Sequence, residues 1–154
     1  MKWFFLFALM AAQLLAAPNE QKDIQELYRR GLAGDKAAVE ACIDRLEALV
    51  QREPSNELAR VYLGSAYTLR SRDLGIGPKK LQALRHGLAL MDEAVAAAPN
   101  EPKVRLARAL TTSALPVFFG RRAESEKDFA LLREVARAQP QKFEPAELQI
   151  VLSR

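Results

Sequence analysis

Few residues in this chain are of a type and spacing that does chemistry. His86 is the only histidine and Cys42 the only cysteine among 154 residues, which leaves no set of thiolates or imidazoles for zinc and no intramolecular disulfide. No Gly-rich phosphate loop, H-E-x-x-H, G-x-S-x-G or C-x-x-C occurs. His86 stands beside Arg85 with no orienting carboxylate near it in sequence, so it reads as a surface or interface residue, not as a general base. Glu124, Glu126 and Asp128 form a close group of carboxylates. They suit either a hard-cation site or, more simply, the start of a helix, where negative charge meets the positive end of the macrodipole. No paired acid and base remains, and the expectation is a non-enzyme that uses no cofactor and no metal.

The elements that must position these residues are helices. A chain that is 49% hydrophobic and 27% charged belongs to the globular class, and its length allows one domain or one short repeat array. Its first residues, MKWFFLFALMAAQLLAA, carry one positive charge at Lys2, then an apolar run, then small residues before Pro18. That is the layout of a secretory signal peptide. The 15 residues from Trp3 to Ala17 fall short of the roughly 20 that span a bilayer. The expected organisation is therefore a signal peptide over 1–17 and a helical domain over 18–154. The product would be exported, periplasmic or secreted, with an uncleaved N-terminal anchor as the alternative. Cys42 shares three- and four-residue spacings with Val39, Ile43, Leu46, Leu49 and Val50, which predicts a buried small hydrophobe. An intermolecular disulfide is the sharper alternative.

Beyond Pro18 the apolar residues repeat with helical and not strand period, so the fold class is all-α. Leu81, Leu84, Leu88, Met91 and Val95 share one face, widened by Ala94, Ala97 and Ala98. Leu58, Tyr62, Ala66 and Leu69 share another, with Leu63 and Tyr67 beside them and Gly64 open to a neighbouring backbone. Prolines punctuate the pattern at 54, 99 and 140. Offsets of twelve, eight and five before Pro54 give Cys42, Leu46 and Leu49; before Pro99 they give Gly87, Met91 and Ala94; before Pro140, Asp128, Leu132 and Val135. After Pro54 come Leu63, Gly64 and Tyr67.

This pattern resembles the tetratricopeptide repeat, a unit of about 34 residues with Leu-Gly-x-x-Tyr in helix A, spaced small and apolar residues in helix B and Pro at its end. The resemblance runs from about Asp23 to Pro140 and is best at the junction from Cys42 to Tyr67. It departs in two ways. The proline intervals are 45 and 41 residues, so extra chain is expected between helices A and B, around Arg70 to Lys80 and again around Leu115 to Arg122. In the third unit Arg108, Ala109 and Thr112 replace Leu, Gly and Tyr. The resemblance implies a short α-solenoid of about three stacked helix pairs with long A-to-B connections, closed by a capping helix that carries Leu148, Val151 and Leu152.

Charge supplies the candidate surface. From Arg70 to Arg85 the chain holds Arg70, Arg72, Lys79, Lys80 and Arg85 against Asp73 alone, and Arg121 and Arg122 follow Phe118 and Phe119. Stacked pairs would bring these turns to one edge, making a basic ridge with aromatic neighbours, a composition that suits recognition. The macrodipole accounts for cations in a last helical turn, but not for Lys79, Lys80, Arg121 and Arg122 at helix starts. The resemblance implies a scaffold or adaptor that binds another protein in the cell envelope. The alternative is an anionic surface or polymer, such as acidic lipid headgroups, bound through the basic edge. Self-association is a further expectation, and nucleic acid is not an expected physiological partner.

Overall fold

The computed structural model describes residues 17–154, so of the expected signal segment only Ala17 falls among the described residues. Seven helices and no strand occur among them: α1 (Pro18–Leu32), α2 (Lys36–Arg52), α3 (Glu57–Asp73), α4 (Pro78–Ala97), α5 (Pro102–Ser113), α6 (Arg122–Ala138) and α7 (Pro145–Leu152). Local chemistry sets the boundaries. Asp35 Oδ1 accepts from the Ala38 N–H and Asn56 Oδ1 from the Ala59 N–H, each satisfying an orphan donor at a helix start. Pro opens α1, α4, α5 and α7, where its missing N–H costs nothing. Pro54, Pro99 and Pro140 each stand two residues past the end of an even-numbered helix, the position at which proline halts helix propagation.

Each helix packs on the next in sequence, and the odd-numbered helices also pack on one another, α1 against α3 and α3 against α5. The result is three stacked pairs, α1–α2, α3–α4 and α5–α6, with α7 closing the end against α6. The tightest contact joins α3 to α4. Gly64 and Gly87 face each other there, and a Cβ on either would stand 2.5 Å from the other's carbonyl oxygen. Leu46, Leu49, Leu63, Met91 and Ala94 are buried with Cys42 in one continuous core. Half-buried Tyr67 donates its hydroxyl to Glu47 of α2. The Cys42 thiol lies under α1, and burial pushes its pKa up to about 12. The buried-hydrophobe expectation therefore fits, and an intermolecular disulfide would require opening the α1–α2 contact.

Several details differ from expectation. The extra chain between Tyr67 and Gly87 is mostly helix: α3 runs on to Asp73, α4 starts at Pro78, and the connection is only 74–77. Its long helices keep backbone groups paired where a loop would expose them. The third pair does have a long connection, 114–121, built around a 3-10 turn at Val117–Phe119. Leu81 leaves the predicted face and is exposed, as it sits in the first turn of α4 at the turn edge of the stack. Ala97, in the last turn of α4, is exposed as well. In α7, Ile150 and Val151 are buried while Leu152 is exposed.

The cap carries a buried carboxyl. Glu147 Oε2 accepts the Glu144 N–H at 2.8 Å and lies 3.9 Å from Lys103 Nζ, while burial pushes its pKa up. Ionising Glu147 thus works against the fold. The added stability of the protonated form is complete below the ordinary value of 4.5 and is lost as pH rises through the raised folded value. Glu147→Gln removes this step. Urea midpoints measured across that window should show the variant gaining on the parent chain as pH rises, and a gap that is constant with pH would contradict the assignment.

Candidate interaction surface

Helices α1, α3 and α5 each contribute one polar side chain at a common level. Tyr28 of α1 bonds Ser65 of α3 at 2.6 Å, and Ser65 bonds Thr111 of α5 at 2.9 Å. Thr111 Oγ1 donates onward to the Ala107 carbonyl at 2.9 Å. Because Thr111 has a single proton, it accepts from Ser65, and Ser65 in turn accepts from the Tyr28 hydroxyl. Burial holds the Tyr28 phenol well above its ordinary pKa, so it remains a donor. This relay ties the three helices together and leaves its hydroxyls satisfied.

Beside the relay lies a groove of about 420 Å³. Leu32, Leu69, Leu84, Leu115 and Phe119 give it apolar walls, and Arg72, Lys80 and exposed Phe118 also line it. It collects the C-terminal ends of α1, α3 and α5 with the start of α4. This is the chemistry of a pocket for an apolar side chain: hydrocarbon walls, with the relay hydroxyls and Thr68 already hydrogen-bonded within the protein.

The expected basic ridge divides into separate environments. Arg72 and Lys80 line the groove, yet both also finish helices: Arg72 donates to the Gly31 and Leu32 carbonyls and pairs with Asp73, and Lys80 Nζ donates to the Ser71 and Leu74 carbonyls. The negative C-terminal end of α3 thus accounts for a lysine at the start of α4. Arg70 and Lys79 line a different hollow with Tyr67 and His86; Arg70 pairs with Glu40 and lies over the Tyr67 ring, and His86 meets that ring edge-on at 4.5 Å. Arg122 pairs with Glu126 at 3.2 Å, both exposed. Phe118 and Phe119 contact each other at 4.4 Å between ring centroids, and both line the groove.

Arg121 joins a cluster that the sequence left divided. It pairs with Asp92 of α4 and Glu124 of α6; Arg108 of α5 reaches Asp92, Glu124 and Asp128; and Arg105 pairs with Asp128 at 2.7 Å. Asp128 is buried. The helix-start account of the three carboxylates is corrected for this residue, which lies in the second turn of α6 as the counter-charge of two arginines. Glu124 does lie in the first turn, and burial raises its pKa against the pull of Arg108. With these oxygens spent on guanidinium groups, the cluster works as a clamp that fixes the start of α6 and the end of connection 114–121 against α4 and α5.

The chain matches no protein-family model, no curated protein and no solved structure. Likeness to the repeat family therefore rests on its own residues. The relay was missed by sequence reasoning; its one legible sign was Ser65, a small polar residue inside the stretch Val61 to Tyr67 of α3, which carries no charge.

Proposed function

We propose that the protein is an exported, non-catalytic helical scaffold of tetratricopeptide type that holds a partner protein in the groove across α1, α3 and α5. The observation that carries this reading is the groove itself. Its relay is internally satisfied and its walls are apolar, so a guest gains by burying a bulky side chain there, the usual form of an interface anchor. Export rests on the sequence of residues 1–17. Headgroup binding by charge alone takes second place, because Arg70, Arg72, Arg121 and Arg122 already have carboxylate partners.

The test is recovery of partners from the native envelope fraction by the tagged protein and by Ala114→Trp. Ala114 is exposed and lines the groove, so an indole there fills the site without entering the core. A discrete protein recovered by the parent chain and lost by the variant supports the reading. Equal recovery, or none above background, overturns it. Charge reversal at Arg121 would be a poor choice, because it would break the clamp with Asp92.

A further inference from the structure

Exposed large apolar side chains are concentrated in one place. Ile76, Leu81, Val117 and Phe118 belong to the two connections 74–77 and 114–121 or to the first turn after the former; among the described residues only Leu131 and Leu152 are otherwise of this kind. Both connections border one groove, which Arg72 and Lys80 line from either side of the first and Leu115 and Phe118 from within the second; Val117 faces an adjoining hollow with Arg122 and Glu126. Ile76 is fully exposed between Gly75 and Gly77. Val117 is 68% exposed and Phe118 81%, both in a 3-10 turn that enters through Pro116 and leaves through Gly120 at φ 71°. These side chains contribute little to the core, and water is an unfavourable neighbour for all of them.

The charge beside the first connection is mainly basic. Asp73 is the only acid from residue 70 to 85. Lys79 and Lys80 follow the Ile76 connection directly, and neither has a carboxylate within ion-pair distance among the described residues.

We propose that this turn edge seats on an anionic lipid bilayer, with Ile76, Val117 and Phe118 entering the boundary between headgroups and acyl chains while Lys79 and Lys80 meet the anionic headgroups. Stable peripheral attachment takes two signals, apolar insertion and local basic charge, and this edge supplies both. A bilayer fits better than a protein surface, because protein interfaces are depleted in lysine and favour arginine. Directly beside the first connection the cations without a carboxylate are Lys79 and Lys80, while Arg70 and Arg72 are paired with Glu40 and Asp73; exposed Arg85, further along α4, adds to the same basic charge. No helix among the described residues is long and apolar enough to cross a membrane, so the attachment is superficial. Lys80 and Phe118 also line the groove, whereas Ile76, Val117 and Lys79 do not, so the test replaces only residues outside it.

The full chain is mixed with phosphatidylcholine vesicles with and without phosphatidylglycerol, and its sedimentation is compared with that of Ile76→Ser/Val117→Ser. Both replaced side chains are exposed, so the variant should melt like the parent. Its partition onto anionic vesicles should fall about tenfold or more, and the parent should prefer anionic to neutral vesicles by a similar factor. A second readout excludes the apolar N-terminal segment as the source of binding. Ile76→Cys is labelled with an environment-sensitive fluorophore, selectively because Cys42 is buried, and its emission should shift to the blue on anionic vesicles. Equal sedimentation of parent and double variant overturns the proposal. So does an unshifted probe on vesicle-bound protein, or a shift produced by a protein fraction and not by vesicles.

Discussion

Gly64→Ala is expected to destabilise the chain by about 2–4 kcal/mol, far more than one methyl group on a helix ordinarily does. The new Cβ would stand 2.5 Å from the Gly87 carbonyl oxygen, 2.7 Å from Met91 Cγ and 3.1 Å from the Met91 nitrogen. Two of these three atoms are backbone and cannot rotate away, so α3 and α4 must move apart along their shared length. Alanine's better helix propensity returns about 1 kcal/mol, which does not offset the lost packing. Gly87→Ala meets the same obstacle from the other side, at 2.5 Å from the Gly64 carbonyl oxygen. Once the helices have separated for one methyl, the second meets less resistance. The double variant should therefore cost clearly less than the two single costs together. Gly75→Ala is the control: nothing lies within 4 Å of its added Cβ, and its effect should stay within about 0.5 kcal/mol. Urea midpoints of these four variants against the parent chain decide the matter. A Gly64→Ala midpoint equal to that of Gly75→Ala would mean that α3 and α4 do not approach as closely as the structure places them.

That contact was legible in the sequence because it is local and periodic. Leu63, Gly64 and Tyr67 on one helix, and Gly87, Met91 and Ala94 on the next, state where small residues must meet, and the structure joins them there. The proline offsets fixed three helix ends for the same reason. Long-range electrostatics was not legible. Arg70 finds Glu40 thirty residues away, and Arg121 finds Asp92 twenty-nine away. A sequence counts such charges but does not pair them, so a continuous basic ridge was inferred where the fold makes separate, largely neutralised environments. The relay was hidden in another way. Tyr28, Ser65 and Thr111 share no spacing, and only the stacking of α1, α3 and α5 brings their hydroxyls into line. One signal was present without its meaning. Arg108 and Asp128 break the motif at two positions of the same unit, and their charges are opposite.

Asp128→Ala is expected to cost about 3–5 kcal/mol, the second of the two largest effects, because it leaves Arg108 facing an empty site and removes the carboxylate that Arg105 shares. Arg108 is nearly buried and cannot simply turn to water. Glu124 and Asp92 remain within reach, but both already serve Arg121. Arg108→Leu/Asp128→Ala gives these positions the residue types that the repeat pattern carries there. Removing both charges together spares the cost of an orphan, so the double variant should recover at least about 2 kcal/mol of the loss caused by Asp128→Ala alone. The consequence extends to the surface, because the clamp holds Arg121 and with it the end of the connection that carries Val117 and Phe118. In Asp128→Ala, hydrogen exchange should accelerate first in 114–125 while the α1–α2 pair stays protected. If the double variant is as unstable as Asp128→Ala, or if exchange rises evenly over all three pairs, the cluster is not the clamp described, and the third pair owes its position to apolar packing through Phe129, Leu132 and Leu110 alone.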